Sequence, residues 1–228
     1  MKIKKGTMIM VGCCFSISAM AGTMGAPLTH DYHLWSIIAS IGYTGYDNLY
    51  RGGLSADPLA QVSIGDGQTA LGRFAITRDW SAFKTIDFGL EIGVQNGNTA
   101  RLAIPQITLD RVGGLNPQVT IKPMLDLLAT ASLQPVESIP VLCLIKPGIA
   151  YRRMQVNDRV TFNDLSEVGF ELQAGLGMRI SEQAILSLNY QGVFNGNTTY
   201  TINTTTFTGN ISNIPKQNGV LLSLSYAV

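Results

Sequence analysis

The chain has 228 residues, with 16 Lys+Arg against 15 Asp+Glu and a formal net charge of +1, so it offers no basic stripe of the kind nucleic acid requires. Charged residues make up 14%, well short of the roughly 25% of an average soluble domain. Downstream of the N-terminus no apolar run approaches the roughly 18 residues of a membrane helix, and an apolar chain without a spanning helix points to strands.

The N-terminus reads as an export signal. Lys2, Lys4 and Lys5 form a basic start, Met8 to Ala19 is apolar with small residues, and Ala19-Met20-Ala21 before Gly22 is an A-x-A cleavage site. Residues 1–21 are therefore expected to be a cleaved signal peptide and 22–33 a periplasmic lead-in. A lipid-attachment box around Val11-Gly12-Cys13 is the alternative, with a very short apolar core. Cleavage after Ala21 removes Cys13 and Cys14 and leaves Cys143, so no intrachain disulfide is expected. Between Leu142 and Leu144, Cys143 reads as a small buried hydrophobe.

Residues 34–228 then read as strands, because apolar residues recur with a period of two. The first strand, Leu34 to Thr44, sorts Trp35, Ile37, Ala39, Ile41 and Tyr43 onto one face. The second, Ala70 to Trp80, is the least regular, since Arg78 shares the face of Phe74 and Ile76. The third, Thr85 to Gln95, alternates without exception: Ile86, Phe88, Leu90, Ile92 and Val94 against Thr85, Asp87, Gly89, Glu91, Gly93 and Gln95. The fourth, Gln118 to Thr130, puts Val119, Ile121, Pro123, Leu125, Leu127 and Ala129 on one face. The fifth, Val141 to Arg152, does the same with Val141, Cys143, Ile145, Pro147, Ile149 and Tyr151.

Proline cannot donate a ladder hydrogen bond, so bulges are expected at Pro123 and Pro147, facing each other across this pair. The sixth strand, Val168 to Ile180, and the seventh, Ala184 to Phe194, are joined by the tight turn Ser181-Glu182-Gln183. The eighth is Gly219 to Val228, with Val220, Leu222, Leu224, Tyr226 and Val228 alternating to the end.

Connections run strictly long, short, long: 46–69, 81–84, 96–117, 131–140, 153–167, 181–183 and 195–217. Strands of about ten residues crossing between two unlike sides match an outer-membrane barrel with short periplasmic turns and long external loops. In that topology Trp35, Trp80 and Tyr226 fall at the periplasmic rim, and Tyr43, Tyr151, Phe170 and Phe194 at the outer rim, as two aromatic girdles.

The quiet faces point inward. They carry Gly72, Ala75, Gly89, Gly93, Gly148, Ala150, Gly175, Gly177, Ser187, Ser223 and Ser225, together with the charges Arg73, Glu91, Lys122, Asp126, Lys146, Glu171 and Arg179. Glu91, Lys122, Lys146 and Glu171 are expected to form a buried network with Arg73 close by, since unpaired charges inside would cost several kcal/mol each.

The alternating strand Thr85 to Gln95, the stretch Ile121-Lys122-Pro123-Met124-Leu125-Asp126 and the ending Ser223-Leu-Ser-Tyr-Ala-Val228 resemble the small eight-stranded outer-membrane barrels of Gram-negative bacteria, the outer-membrane protein A transmembrane domain and opacity-protein group. The resemblance implies a barrel embedded in outer-membrane lipid and inserted by the barrel-assembly machinery, which reads an apolar-alternating last strand. Val220, Leu222, Leu224, Tyr226 and Val228 would be that signal, with Val228 where the family usually has Phe or Trp. It also implies that the loops at 46–69, 96–117, 153–167 and 195–217 could contact host or surface ligands.

Catalysis has little to build on. His30 and His33 both precede the first strand and read as solvated lead-in, and no metal-ligand spacing, phosphate-binding glycine loop or glycosidase-type carboxylate pair is found, so no cofactor is expected. The stretch Thr198 to Gly209 reads as a polar hairpin, with an extension of strands seven and eight or an adhesive surface as its sharper readings.

The expectation is a closed, antiparallel, up-and-down eight-stranded transmembrane β-barrel in the outer membrane. Its interior is plugged and polar, and it has a structural or surface-interaction role. The alternatives are a narrow porin-like channel, a barrel enzyme, and a soluble lipocalin-type barrel with its apolar residues turned inward.

Overall fold

The computed structural model describes residues 35–46, 68–83, 85–101, 118–136, 138–157, 162–196, 200–203 and 208–228. The signal segment, the lead-in with both histidines, and most of the first two long connections lie outside the described residues.

The strand segments are β1 (Trp35–Tyr46), β2 (Gln68–Phe83), β3 (Ile86–Gln95), β4 (Asn98–Arg101), β5 (Gln118–Ile121) and β6 (Met124–Leu133). They continue with β7 (Val141–Asn157), β8 (Phe162–Arg179), β9 (Ala184–Phe194), β10 (Tyr200–Asn203), β11 (Thr208–Ile211) and β12 (Gln217–Ala227). β3 runs on into β4 and β5 into β6, so the main sheet has eight staves, every one antiparallel to its neighbours. β7 pairs with β6 on one side and β8 on the other, and β1 pairs with β2 and β12, which closes the ring.

The registers fix the barrel's pitch. From Ser36 the ladder partners run Thr77, Glu91, Leu128, Gly148, Glu171, Val193 and Gln217, and return to β1 at Tyr46, ten residues from the start. A displacement of this size across eight staves corresponds to strands tilted by about 35–45° and an interior just wide enough for side chains.

Alternation then sorts the two faces. Ile41, Ile92 and Val168 are 67%, 61% and 60% exposed on the outside, whereas Glu91, Leu128 and Leu221 inside are wholly buried. The exposed row of β12 is Val220, Leu222, Leu224 and Tyr226, continued by Val228, and its inward Ser223 accepts a 2.9 Å hydrogen bond from Ser40 across the closing seam. An apolar exterior around a polar interior is the inverse of a soluble barrel, so the lipocalin-type alternative falls.

The fourth stave departs from the sequence reading. Across β5–β7, Ile121 pairs with Met154, but across β6–β7, Leu125 pairs with Tyr151, so one extra residue is accommodated at Lys122–Pro123. This is a β-bulge, and a one-residue slip exchanges the faces. Val119 and Ile121, assigned with Leu125 to the outer face, are therefore buried inside.

Pro147 produces no bulge. The β6–β7 ladder omits Ala129 and Thr130 opposite it and resumes at Ala131 and Ile145 in the same register. The two irregularities thus do not face each other, because Lys122 lies beside Arg153, whose carbonyl accepts its N–H at 2.9 Å.

Other corrections are smaller. Gly72, counted with the inward set, lies on the exposed row of β2 with Phe74 and Ile76. Cys143 is half-buried rather than buried. Residues 153–157 and 162–167, read as loop, are strand. The hairpin reading of Thr198 to Gly209 holds, since β10 and β11 pair antiparallel as a separate two-stranded sheet, and the sharper reading, an extension of β9 and β12, does not.

The short connections gather at one end. There Gln134 N–H donates to the Thr85 carbonyl at 2.9 Å, Ile180 N–H to that of Ala184 at 3.0 Å, and Ala227 N–H to that of Gln183 at 2.8 Å.

Candidate functional site

The lumen is built in layers, each fixed by which inward positions the staves bring to the same level. At its centre is a cluster of ionised side chains. Arg73 of β2 makes a two-pronged contact with Asp126 of β6, Nε donating to Oδ2 at 2.9 Å and Nη2 to Oδ1. The same Nη2 lies 2.6 Å from Glu91 Oε1, as an ion pair without the direction of a hydrogen bond. Lys146 of β7 donates to the other Glu91 oxygen at 2.7 Å. Burying four charges is tolerable only because each has an opposite charge within contact.

Inward glycine supplies the room. A Cβ added at Gly93 would meet Arg73 Nη2 and Asp126 Oδ1, so a larger residue there would collide with the pair itself.

Between this cluster and the short-turn end lies a cavity of about 120 Å³, lined among others by Asp79, Thr130, Leu142, Lys146, Arg179 and Ser187. Asp79 accepts hydrogen bonds from Thr77 at 3.2 Å and Thr130 at 3.3 Å. Toward the long-loop end glutamine amides gather around one carboxylate. Gln191 Nε2 donates to Glu171 Oε1 at 2.7 Å and to Gln95 Oε1 at 3.0 Å, Gln173 donates to Glu171 at 2.8 Å, and Gln217 to Gln191 at 3.3 Å.

The last layer is apolar. Tyr46, Val119, Ile121, Met154, Val156 and Ile214 pack together at the loop end, with Leu165 against them. Ile214 comes from the segment leading into β12 and is pinned on both sides. Its N–H donates to Glu167 Oε2 at 3.1 Å, and the wholly buried Arg152 donates to the Pro215 carbonyl at 2.7 Å and also to Asn195 Oδ1.

The charged residues named from sequence thus fall into different places. Arg73, Glu91, Asp126 and Lys146 are brought together. Lys122 is not among them: it flanks the bulge near the loop end and has no ion pair among the described residues, so its assignment to the network is corrected. Glu171 is corrected too, because its contacts are glutamine amides rather than a lysine. Arg179 lines the cavity and joins no ion pair among the described residues. Asp79, Arg152 and the glutamines were missed. Asp79 ends an irregular strand, Arg152 sits where a loop was expected to begin, and the glutamines carry no formal charge to draw notice.

Outside, seven aromatic rings mark two levels. Trp35, Trp80 and Tyr226 lie at the short-turn end, where the Tyr226 hydroxyl donates to Gln183 Oε1 at 2.6 Å. Tyr43, Tyr151, Phe170 and Phe194 lie toward the loops, Phe170 and Phe194 stacked with centroids 6.3 Å apart. Along β1 the eight residue steps from Trp35 to Tyr43, at about 3.3 Å each and tilted, separate the two levels by about 20 Å, close to the roughly 25 Å apolar band of such barrels.

A closed ring, an apolar band between aromatic rims and an ion-paired interior define a small transmembrane β-barrel with the architecture of the eight-stranded outer-membrane proteins. No protein-family model matches the chain, and no curated protein sequence matches it. Among solved structures it is similar to Neisserial surface protein A, at 10% identity over 85% of this chain and 97% of that one, with a TM-score of 0.45. It is similar also to Ail, the attachment invasion locus protein of Yersinia pestis, at 10% identity over 84% and 97% with a TM-score of 0.46. A third is OprG from Pseudomonas aeruginosa, at 9% identity over 84% and 94% with a TM-score of 0.45. At such identities the likeness is one of fold.

Proposed function

We propose that the protein is an outer-membrane barrel with a closed lumen, working as a structural and surface-interaction element through its long connections 46–69, 96–117 and 195–217 and the β7–β8 ribbon of 153–167. The observation that supports this reading is the succession of inward layers above the cavity: paired charges, then bonded glutamines, then the apolar layer with Ile214. An ion entering from the loop side meets hydrocarbon first and an ion-paired cluster next, and both oppose passage. Outer-membrane lipid surrounds the apolar band, and insertion depends on the assembly machinery reading Val220, Leu222, Leu224, Tyr226 and Val228.

We assign no catalytic role, since the central charges Arg73, Glu91, Asp126 and Lys146 are engaged with one another and the described residues at the loop end of the lumen pack as an apolar layer. The test is single-channel recording on the purified barrel in planar bilayers. Silence is expected, whereas steady, sizeable conductance would overturn the closed reading in favour of a narrow channel. Turnover of labelled lipid A by the same preparation would overturn the non-catalytic one.

A further inference from the structure

Arg78 stands on the outward row of β2, where Phe74, Ile76 and Trp80 are 48%, 40% and 42% exposed. Its ladder partners are Trp35 on β1 and Leu90 on β3, so its neighbours on the surface are apolar. Among the described residues it has neither an ion pair nor a side-chain hydrogen bond. Its guanidinium carbon lies 5.5 Å from the Trp35 ring centroid and 5.7 Å from that of Trp80, within the range of cation–π attraction. A cation on a lipid-facing row costs about 2–4 kcal/mol at mid-bilayer and about 0–1 kcal/mol near the interface. At the level of two interfacial tryptophans Arg78 is at the depth where that cost is least and where lipid phosphates begin.

We propose that Arg78, oriented by Trp35 and Trp80, binds the phosphate of a phospholipid headgroup at the short-turn rim. The guanidinium is planar and carries five donors in a fork that matches two oxygens of a phosphate. The two indoles fix the plane of that fork and leave its donor edge without a protein acceptor among the described residues. The acyl chains of the bound lipid then run along the exposed row formed by Ile37, Ile76 and Leu90. The inference rests on the barrel being transmembrane and is independent of whether its lumen is closed.

The chain contains 2 Trp, and both are in this site, so tryptophan fluorescence, excited selectively over the 8 Tyr, reports on it alone. The folded barrel in non-ionic detergent is titrated with phosphatidylglycerol bearing brominated acyl chains and, separately, with the brominated diacylglycerol that lacks the phosphate. The phospholipid is expected to quench with a half-point about tenfold lower than the diacylglycerol, the effect of one charge-assisted contact. Arg78→Gln should abolish that difference, and Arg78→Lys, which keeps the charge but not the fork, should fall between, with folding of each checked by heat-modifiable migration. Equal half-points for the two lipids, or an unchanged preference in Arg78→Gln, overturn the proposal. Should Arg78→Gln fail to fold, an Arg78→Lys preference equal to the parent's overturns it likewise. Inorganic phosphate should not reverse the quenching, and reversal at millimolar concentration would assign the site to free phosphate instead of lipid.

Discussion

Glu91 is the residue on which the ionic layer turns, because its two oxygens face different cations, Arg73 and Lys146, from different staves. Glu91→Gln leaves Lys146 buried without its carboxylate, and removing one partner of a buried pair costs about 3–5 kcal/mol. Urea unfolding in detergent, followed by fluorescence, should show a loss of that order. Adding Lys146→Met should recover part of it, since the second change removes the stranded charge. An additive double variant would mean that the two side chains do not act as a pair. The sequence placed both residues inside from alternation alone. It could not choose their partners, because which inward charges share a level depends on the tilt of the staves. Lys122 and Asp126 lie only four residues apart on one stave, yet Asp126 reaches Arg73 whereas Lys122 lies past the bulge.

At the scale of the strand, Thr85 to Gln95 was fully legible and Gln118 to Thr130 was not. The first has one apolar and one small or polar face, and β3 keeps a single register against β2 and β6 along the residues that cross the apolar band. The second contains Pro123, which cannot fill its place in the ladder. The extra residue accommodated there turns Val119 and Ile121 from lipid to lumen. Parity counted along a sequence cannot register such an exchange, because the apolar character of both residues suits either side. Ile121→Asn therefore buries an amide among Tyr46, Met154 and Ile214 and should lower stability by about 1–3 kcal/mol. Val168→Asn, on the exposed row near the same rim, should change it by no more than about 1 kcal/mol. Equal effects in urea titrations of the two variants would return Ile121 to the lipid face. The ribbon of β7 and β8 above the band was read as loop for a related reason. Once past the lipid, Gln155, Asp164 and their neighbours no longer need to alternate in hydropathy, although the backbone goes on pairing.

Taken whole, the barrel has unlike ends. The cavity beside Lys146 reaches the short turns, and the layer under Ile214 meets the long loops. A cysteine at Ser132, which lines the cavity, should react with a membrane-impermeant maleimide only when the reagent is supplied on the short-turn side of proteoliposomes in a Cys143→Ala background. A cysteine at Val119, buried under Ile214, should react from neither side until urea opens the barrel. Labelling of the Val119 position from the loop side in the folded protein would show that the apolar layer admits water.

The register that leads from Ser36 back to Tyr46 sets a limit on how this molecule can change. Sliding two staves past each other by a single residue would turn the slid stave's polar row to lipid and its apolar row to the lumen, so the ring can close again only after a slip of two. Its diameter is therefore restricted to a few discrete values, each separated from the next by the rupture of an entire ladder. A barrel so constrained cannot dilate by degrees. Any passage through it would have to come from side chains changing partners or from the segment bearing Ile214 lifting away, with the wall itself unmoved.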